Sequence, residues 1–197
     1  FQVTDKVETH IDRTLNVQSS GFQHEKYFAD LSLAIINIFN QIPVENQPCY
    51  VADTGCGDGT LLKRIFEVIR DSSERGKLLD SHPITMVGID LNQAALVETK
   101  KTLKDIPHLL IVGDISTPKC IIENLIGNGV EDLGSVLHVR SFLDHNRHFT
   151  PIEDARAKGG FEGIKFQSIA ISPSGNLIPQ QQILNNLVEH LTAWRPL

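Results

Sequence analysis

"CYVADTGCGDGTLLKRIFEV", residues 49–68, decides the fold. Its first five residues form a short apolar run that reads as a buried strand. From Thr60 on, Leu61, Leu62, Ile65, Phe66 and Ile69 recur on one face of a helix. Between the two lies "DTGCGDG", with glycines at 55, 57 and 59. A strand that passes through glycines into a helix lets the backbone turn tightly and approach a ligand closely. A dinucleotide fingerprint would need a glycine at position 60, where Thr60 stands.

Working outward, the same alternation continues. Residues 84–90 read as a second strand, followed by a helix over 92–103 with Asn92 as its N-cap. Residues 108–114 are a third strand, and 118–129 a helix with proline at its start and glycine at its end. Residues 135–142 are a fourth strand. A long irregular stretch leads to a helix over 180–194, with Ile183, Leu184, Leu187, Val188, Leu191 and Trp194 on one stripe. Ahead of the glycine loop, residues 26–41 have helical spacing, and Pro43 and Pro48 then break the chain. We read residues 1–48 as a helical N-terminal segment leading into a core over 49–197. Alternating strands and helices predict an α/β fold with a parallel sheet and flanking helices. Ligands of such sheets sit at the carboxyl ends of the strands. Here those ends are residues 53–59, Asp90, Asp114 and a histidine-rich stretch after 137.

Composition narrows the function classes. A net charge of −6 with no block of five like charges argues against nucleic acid or an acidic membrane as a partner. No apolar run approaches the length of a membrane span. Three widely spaced cysteines without a CxxC suit a reducing, cytoplasmic setting and argue against a disulfide or zinc framework.

The acidic residues select the ligand. A pyrophosphate would be opposed by Asp53 and Asp58, whereas a ligand carrying a sulfonium and an amino group is favoured by them. Asp90 is placed to accept from two ribose hydroxyls, Asp114 to meet an adenine amino group, and Ile115 to lie against the ring. Binding of NAD is the rival reading, and a structural turn with solvated aspartates the bland one. The pattern resembles the class I S-adenosylmethionine-dependent methyltransferases, a Rossmann-like fold. The resemblance makes Asp53, Gly55, Gly57, Gly59, Asp90, Asn92, Asp114 and Ile115 the cofactor-binding set.

"HVRSFLDHNRHF", residues 138–149, closes the fourth strand, where the resemblance places groups facing the transferred methyl. In a strand His138, Arg140 and Phe142 share one face. Asp144, His145 and Arg147 fall on the loop beyond. A polar cap on the sheet edge is the plainer role for each, and it suits His148 best. Together, "HIDRTLNVQSSGFQHEKYFADL", "DTGCGDGTLLKRI", "IPHLLIVGDI", "HVRSFLDHNR" and "NLVEHLTAW" look like a narrower branch. These are the methyltransferase domains of loading modules in polyketide synthases of the saxitoxin and apratoxin type.

That resemblance implies C-methylation of a malonyl group on an acyl carrier protein, beside an acetyltransferase-like decarboxylase domain, in secondary-metabolite biosynthesis. It also implies a divalent metal, iron or manganese, acting as a Lewis acid on the malonyl unit. His145 is the first expected ligand and His138 the second, with Arg140 beside them as a catalytic candidate. The chain departs from the branch at Asn146, where an aspartate is expected. By the same comparison the chain is expected to be partial, a fragment or a degenerate domain without the last strands of a seven-stranded sheet and the helical lid before residue 1. Two other functions fit the same cofactor site: a small-molecule O- or N-methyltransferase, and a cofactor-binding remnant without turnover. The "NPPY"-like motif common in N-methyltransferases does not follow the fourth strand.

Overall fold

The computed structural model describes residues 3–4, 7–8, 25–141, 149, 169–172 and 174–197. Two short strands, β1 (Val3–Thr4) and β2 (Val7–Glu8), pair antiparallel. They precede helix α1 (Glu25–Gln41). The core then runs β3 (Tyr50–Thr54), α2 (Thr60–Ser72), β4 (Thr85–Asp90), α3 (Gln93–Thr102), β5 (His108–Val112), α4 (Pro118–Gly127) and β6 (Val136–Val139), with α5 (Gln180–Trp194) last. The four core strands form one parallel sheet in the order β5-β4-β3-β6. The expected Rossmann-like architecture is therefore present: a parallel sheet flanked by helices.

Each strand lies between two helical layers, which is why its sequence is apolar without alternation. On one face Val51, Met86 and Val139 pack with Ile35 and Phe39 of α1, Leu62 and Ile65 of α2 and Leu96 of α3. On the other, Ala52, Val87, Ile89, Ile111 and Val136 pack with Ile121 and Leu125 of α4 and Trp194 of α5. α3 starts at Asn92, whose side chain accepts from the Ala94 N–H at 2.9 Å, the N-cap expected from sequence.

The topology fixes where a ligand goes. From β3 the chain steps outward to β4 and β5, then returns to the other side of β3 for β6. This reversal opens a crevice at the carboxyl ends of β3 and β6. Asp53 and Val139 lie side by side there, with Ala52 opposite His138. The fourth core strand is shorter than expected. It ends at Val139, and Arg140 and Ser141 continue as irregular chain.

Candidate functional site

The glycine loop turns through three left-handed residues, with φ of 80° at Gly55, 59° at Gly57 and 79° at Gly59. Only glycine adopts such a series without strain. Backbone bonds fasten the loop to β4: the Gly55 and Cys56 N–H groups both donate to the Ile89 carbonyl, at 2.7 and 3.1 Å. A side chain at Gly59 would meet Thr99 Cγ2 at 2.8 Å, so α2 and α3 approach closely only because position 59 lacks one. At Gly57 the reverse holds. An added Cβ would find nothing within 4 Å, so the loop presents its bare backbone to open space.

Asp90 ties this loop to the next. Its Oδ2 accepts from the Gly57 N–H at 3.0 Å and its Oδ1 from the Asn92 N–H at 2.8 Å. An ionised carboxylate has about four lone-pair sites, so two remain for the hydroxyls of a ribose. The Asp90 carbonyl accepts from the Gly113 N–H at 3.1 Å, which brings the loop after β5 alongside. Asp114 stands two residues past the end of β5 rather than on it, and its Oδ1 accepts from the Ser116 N–H at 2.8 Å. Ile115 packs partly buried against the second core cluster. Asp53 and Asp90, at the ends of β3 and β4, and the three glycines, Asn92, Asp114 and Ile115, on the loops that follow β3, β4 and β5, thus lie at one end of the sheet.

The electrostatics suit a cation. Asp58 uses Oδ1 to accept from the Thr60 N–H at 3.0 Å, filling the helix N-terminus where a phosphate would otherwise bind. Asp53 is only 3% exposed. Burial, and then the nearby Asp90 charge, push its pKa up to about 8. The same burial pushes the Cys56 thiol up to about 12, so it is an inert packing group rather than a nucleophile.

A pH dependence follows for the unliganded protein. Between the ordinary aspartate value near 4 and the folded value of about 8, the native state holds a proton on Asp53 that the unfolded chain has lost. Stability is then highest at the acid end and falls by up to about 1.4 kcal/mol per pH unit until the folded value is passed. Thermal melts of wild type and Asp53→Asn from pH 5 to 8.5 should differ in slope, with the variant flatter. Parallel slopes would contradict it. A cationic ligand reverses the shift, so its binding should expel about one proton, read from calorimetry in two buffers.

At the end of β6, His138 and Arg140 turn toward α5. Arg140 stacks on Trp194, Cζ lying 4.2 Å from the ring centroid, and the His138 ring meets the same indole edge-on at 6.1 Å. Both ring nitrogens of His138 are shut from solvent and lack a hydrogen-bond partner. Burial first, then the Arg140 charge, lower its pKa, so it is neutral at pH 7. Between α1 and this strand end is a cleft of about 330 Å³, walled by Tyr27, Phe28 and Leu31 on one side and residues 137–141 on the other.

A metal does not fit the described residues. Among them no three His, Cys, Asp or Glu side chains gather to hold one. His138, the second expected ligand, stands beside the Arg140 cation, which opposes a bound dication. His145, the first, lies outside the described residues, as do Phe142, Asp144, Asn146, Arg147 and His148. Sequence reasoning missed His190 and gave Trp194 only a packing role. It had no signal for either, since both sit within an ordinary amphipathic helix.

Over residues 8–197 the chain matches the sequence model of a methyltransferase family described as the AprA MT2-like domain. No curated protein matches the chain. Among the described residues no helix is long and apolar enough to cross a membrane.

Proposed function

Because the chain belongs to the AprA MT2-like methyltransferase domains, we propose that it moves a methyl group from S-adenosylmethionine to the α-carbon of a malonyl group on an acyl carrier protein. When bound, the cofactor supplies an electrophilic methyl on a sulfonium. The chain's own residues bind and orient. The observation that carries the reading is the acidic cradle at the strand ends: bare backbone at Gly57, a buried Asp53 and an Asp90 with acceptor capacity to spare.

Division of labour follows from position. Asp53 is suited to the cationic methionine end, Asp90 to the ribose, and Asp114 with Ile115 to the adenine. The cleft beside α1 suits the acyl thioester arm, since its walls are largely apolar and its inner end reaches the end of β6. The carrier protein and a neighbouring acetyltransferase-like decarboxylase domain are the partners this reading implies. Any metal would require ligands outside the described residues, His145 first among them, and no step above passes through one.

Asp90→Ala is the direct test. It should weaken S-adenosylmethionine binding by about 1.5–3 kcal/mol, the scale of hydrogen bonds to a charged group, and methyl transfer to malonyl-carrier protein should fall with it. Calorimetry and a radiolabelled methyl-transfer assay read the two effects. Tight NADH binding with no response to S-adenosylmethionine would refute the proposal.

A further inference from the structure

Helices α1 and α2 run side by side in the same direction. At their far ends Asn40 Oδ1, in the last turn of α1, accepts from the Glu74 N–H just past α2 at 2.8 Å. At their near ends the Arg64 guanidinium of α2 lies over the Phe28 ring of α1, Cζ 5.7 Å from its centroid. Since α2 begins where the glycine loop stops, Arg64 stands one turn from that loop, on the side of the helix that faces α1. Asp53 belongs to the same face of the sheet. Its side chain alternates with that of Ala52, which packs against α4 and α5, and its register partner Val139 packs with α1 and α2. A guanidinium and a buried carboxyl are thus found beside the loop on one face of the sheet.

The ligand that the acidic cradle suits is not a simple cation. S-Adenosylmethionine carries a sulfonium and an ammonium, but also a carboxylate. Asp53, Asp58 and Asp90 attract the first two and repel the third. The N-terminus of α2, which could hold an anion, is taken: Asp58 already accepts from the Thr60 N–H there. Of the two cations in the first turns of α2, Lys63 is turned to Glu67 at 3.9 Å. Arg64 is half-buried and has no carboxylate partner among the described residues. Stacking on Phe28 steadies its plane and leaves the N–H donors at the edge available, and their fork matches a carboxylate with two parallel bonds.

We propose that Arg64, steadied by Phe28, binds the carboxylate of the cofactor's methionine end, the group that the acidic cradle leaves without a partner. The assignment rests on the methyl-transfer reading and deepens it. Asp53 and Arg64 then receive the two charges of one zwitterion, so the site selects a ligand with an intact amino acid. The same cofactor without its carboxylate would meet only the acids and leave Arg64 unused. Phe28 also walls the cleft beside β6, so the ring that steadies Arg64 borders the space given to the acyl arm.

The test is calorimetry of the whole chain with two ligands, S-adenosylmethionine and its decarboxylated analogue, which keeps the sulfonium and the amine. Wild type should bind the analogue at least about tenfold more weakly, as loss of a hydrogen bond to a charged group implies. Arg64→Gln should weaken S-adenosylmethionine by a similar factor. It should leave the analogue within about twofold of its wild-type affinity, inside the scatter for an uninvolved site. Arg64→Lys, which keeps the charge but not the fork, should recover part of the loss.

Equal binding of both ligands by wild type would overturn the assignment without recourse to any variant. So would an Arg64→Gln loss shared equally by the two, the pattern of a merely structural role, or no loss for either. A wild-type protein that binds neither ligand would instead overturn the methyl-transfer reading itself.

Discussion

Gly57→Val should abolish S-adenosylmethionine binding while costing the fold about 1–2 kcal/mol, the penalty for a side chain in left-handed backbone. The two effects separate because an added Cβ meets no protein atom within 4 Å. On the proposed reading, the space it enters is the one the ligand takes. Gly59→Val makes the contrast. There a Cβ meets Thr99 Cγ2 at 2.8 Å and its Cα at 3.2 Å, so α2 must move from α3 and the protein should lose stability first. Calorimetry paired with thermal melts distinguishes the two variants. Normal cofactor affinity in Gly57→Val would reduce the loop to a structural turn.

The largest expected stability loss lies at the opposite end of the sheet. Arg75 is 1% exposed in a turn of 3₁₀ helix, Glu74–Leu78. It donates to the His82 carbonyl at 2.9 Å, the Val44 carbonyl at 3.2 Å, the Pro83 carbonyl at 3.4 Å and Gln47 Oε1 at 3.0 Å. Gln47 in turn donates to the Phe39 and Ile42 carbonyls at 3.1 and 2.7 Å. One side chain therefore fastens the end of α1 and the segments entering β3 and β4. Arg75→Ala strands several buried acceptors, at about 1–3 kcal/mol each, and leaves a cavity, so it should cost about 3–5 kcal/mol. Urea unfolding reads the loss. Cofactor affinity of the folded fraction should be unchanged, because these contacts precede the strands and the glycine loop follows them. A loss below about 1 kcal/mol, the worth of a single ordinary hydrogen bond, would show that the network does not hold these segments together.

Arg75 also marks where sequence reading fails. "SSERGKLLDSHP" reads as a polar connection, because nothing in one dimension distinguishes a buried arginine from a solvated one. Its neighbour Gly76 was equally unreadable, yet a Cβ there would lie 2.0 Å from the Arg70 carbonyl. The strands and helices of the core were legible, since two-sided burial leaves an unbroken apolar run and a helix leaves a single stripe. The gathering of the acids and glycines at one end of the sheet was legible too, since they are local signals that the fold positions. Strand ends were less so: the fourth core strand stops at Val139 instead of residue 142, as the chain turns Arg140 toward Trp194. The joining of His190 to Arg140 and of Trp194 to Ile115 depends on docking α5 across 50 and 79 residues of sequence, and a helical stripe records only that a face is buried.

The fastening of the glycine loop bears on how fast a ligand is taken up. Gly55, Cys56 and Gly57 are each bonded to β4, and Thr99 Oγ1 donates to the Gly57 carbonyl at 2.9 Å. Nothing in the loop is left to be ordered on arrival, so the conformational entropy of shaping it is lost during folding rather than at encounter. Association should then be a single step, its rate rising linearly with ligand concentration and without the plateau that a slow rearrangement imposes. Affinity differences among analogues of the ligand will lie in how long each stays, not in how readily each enters.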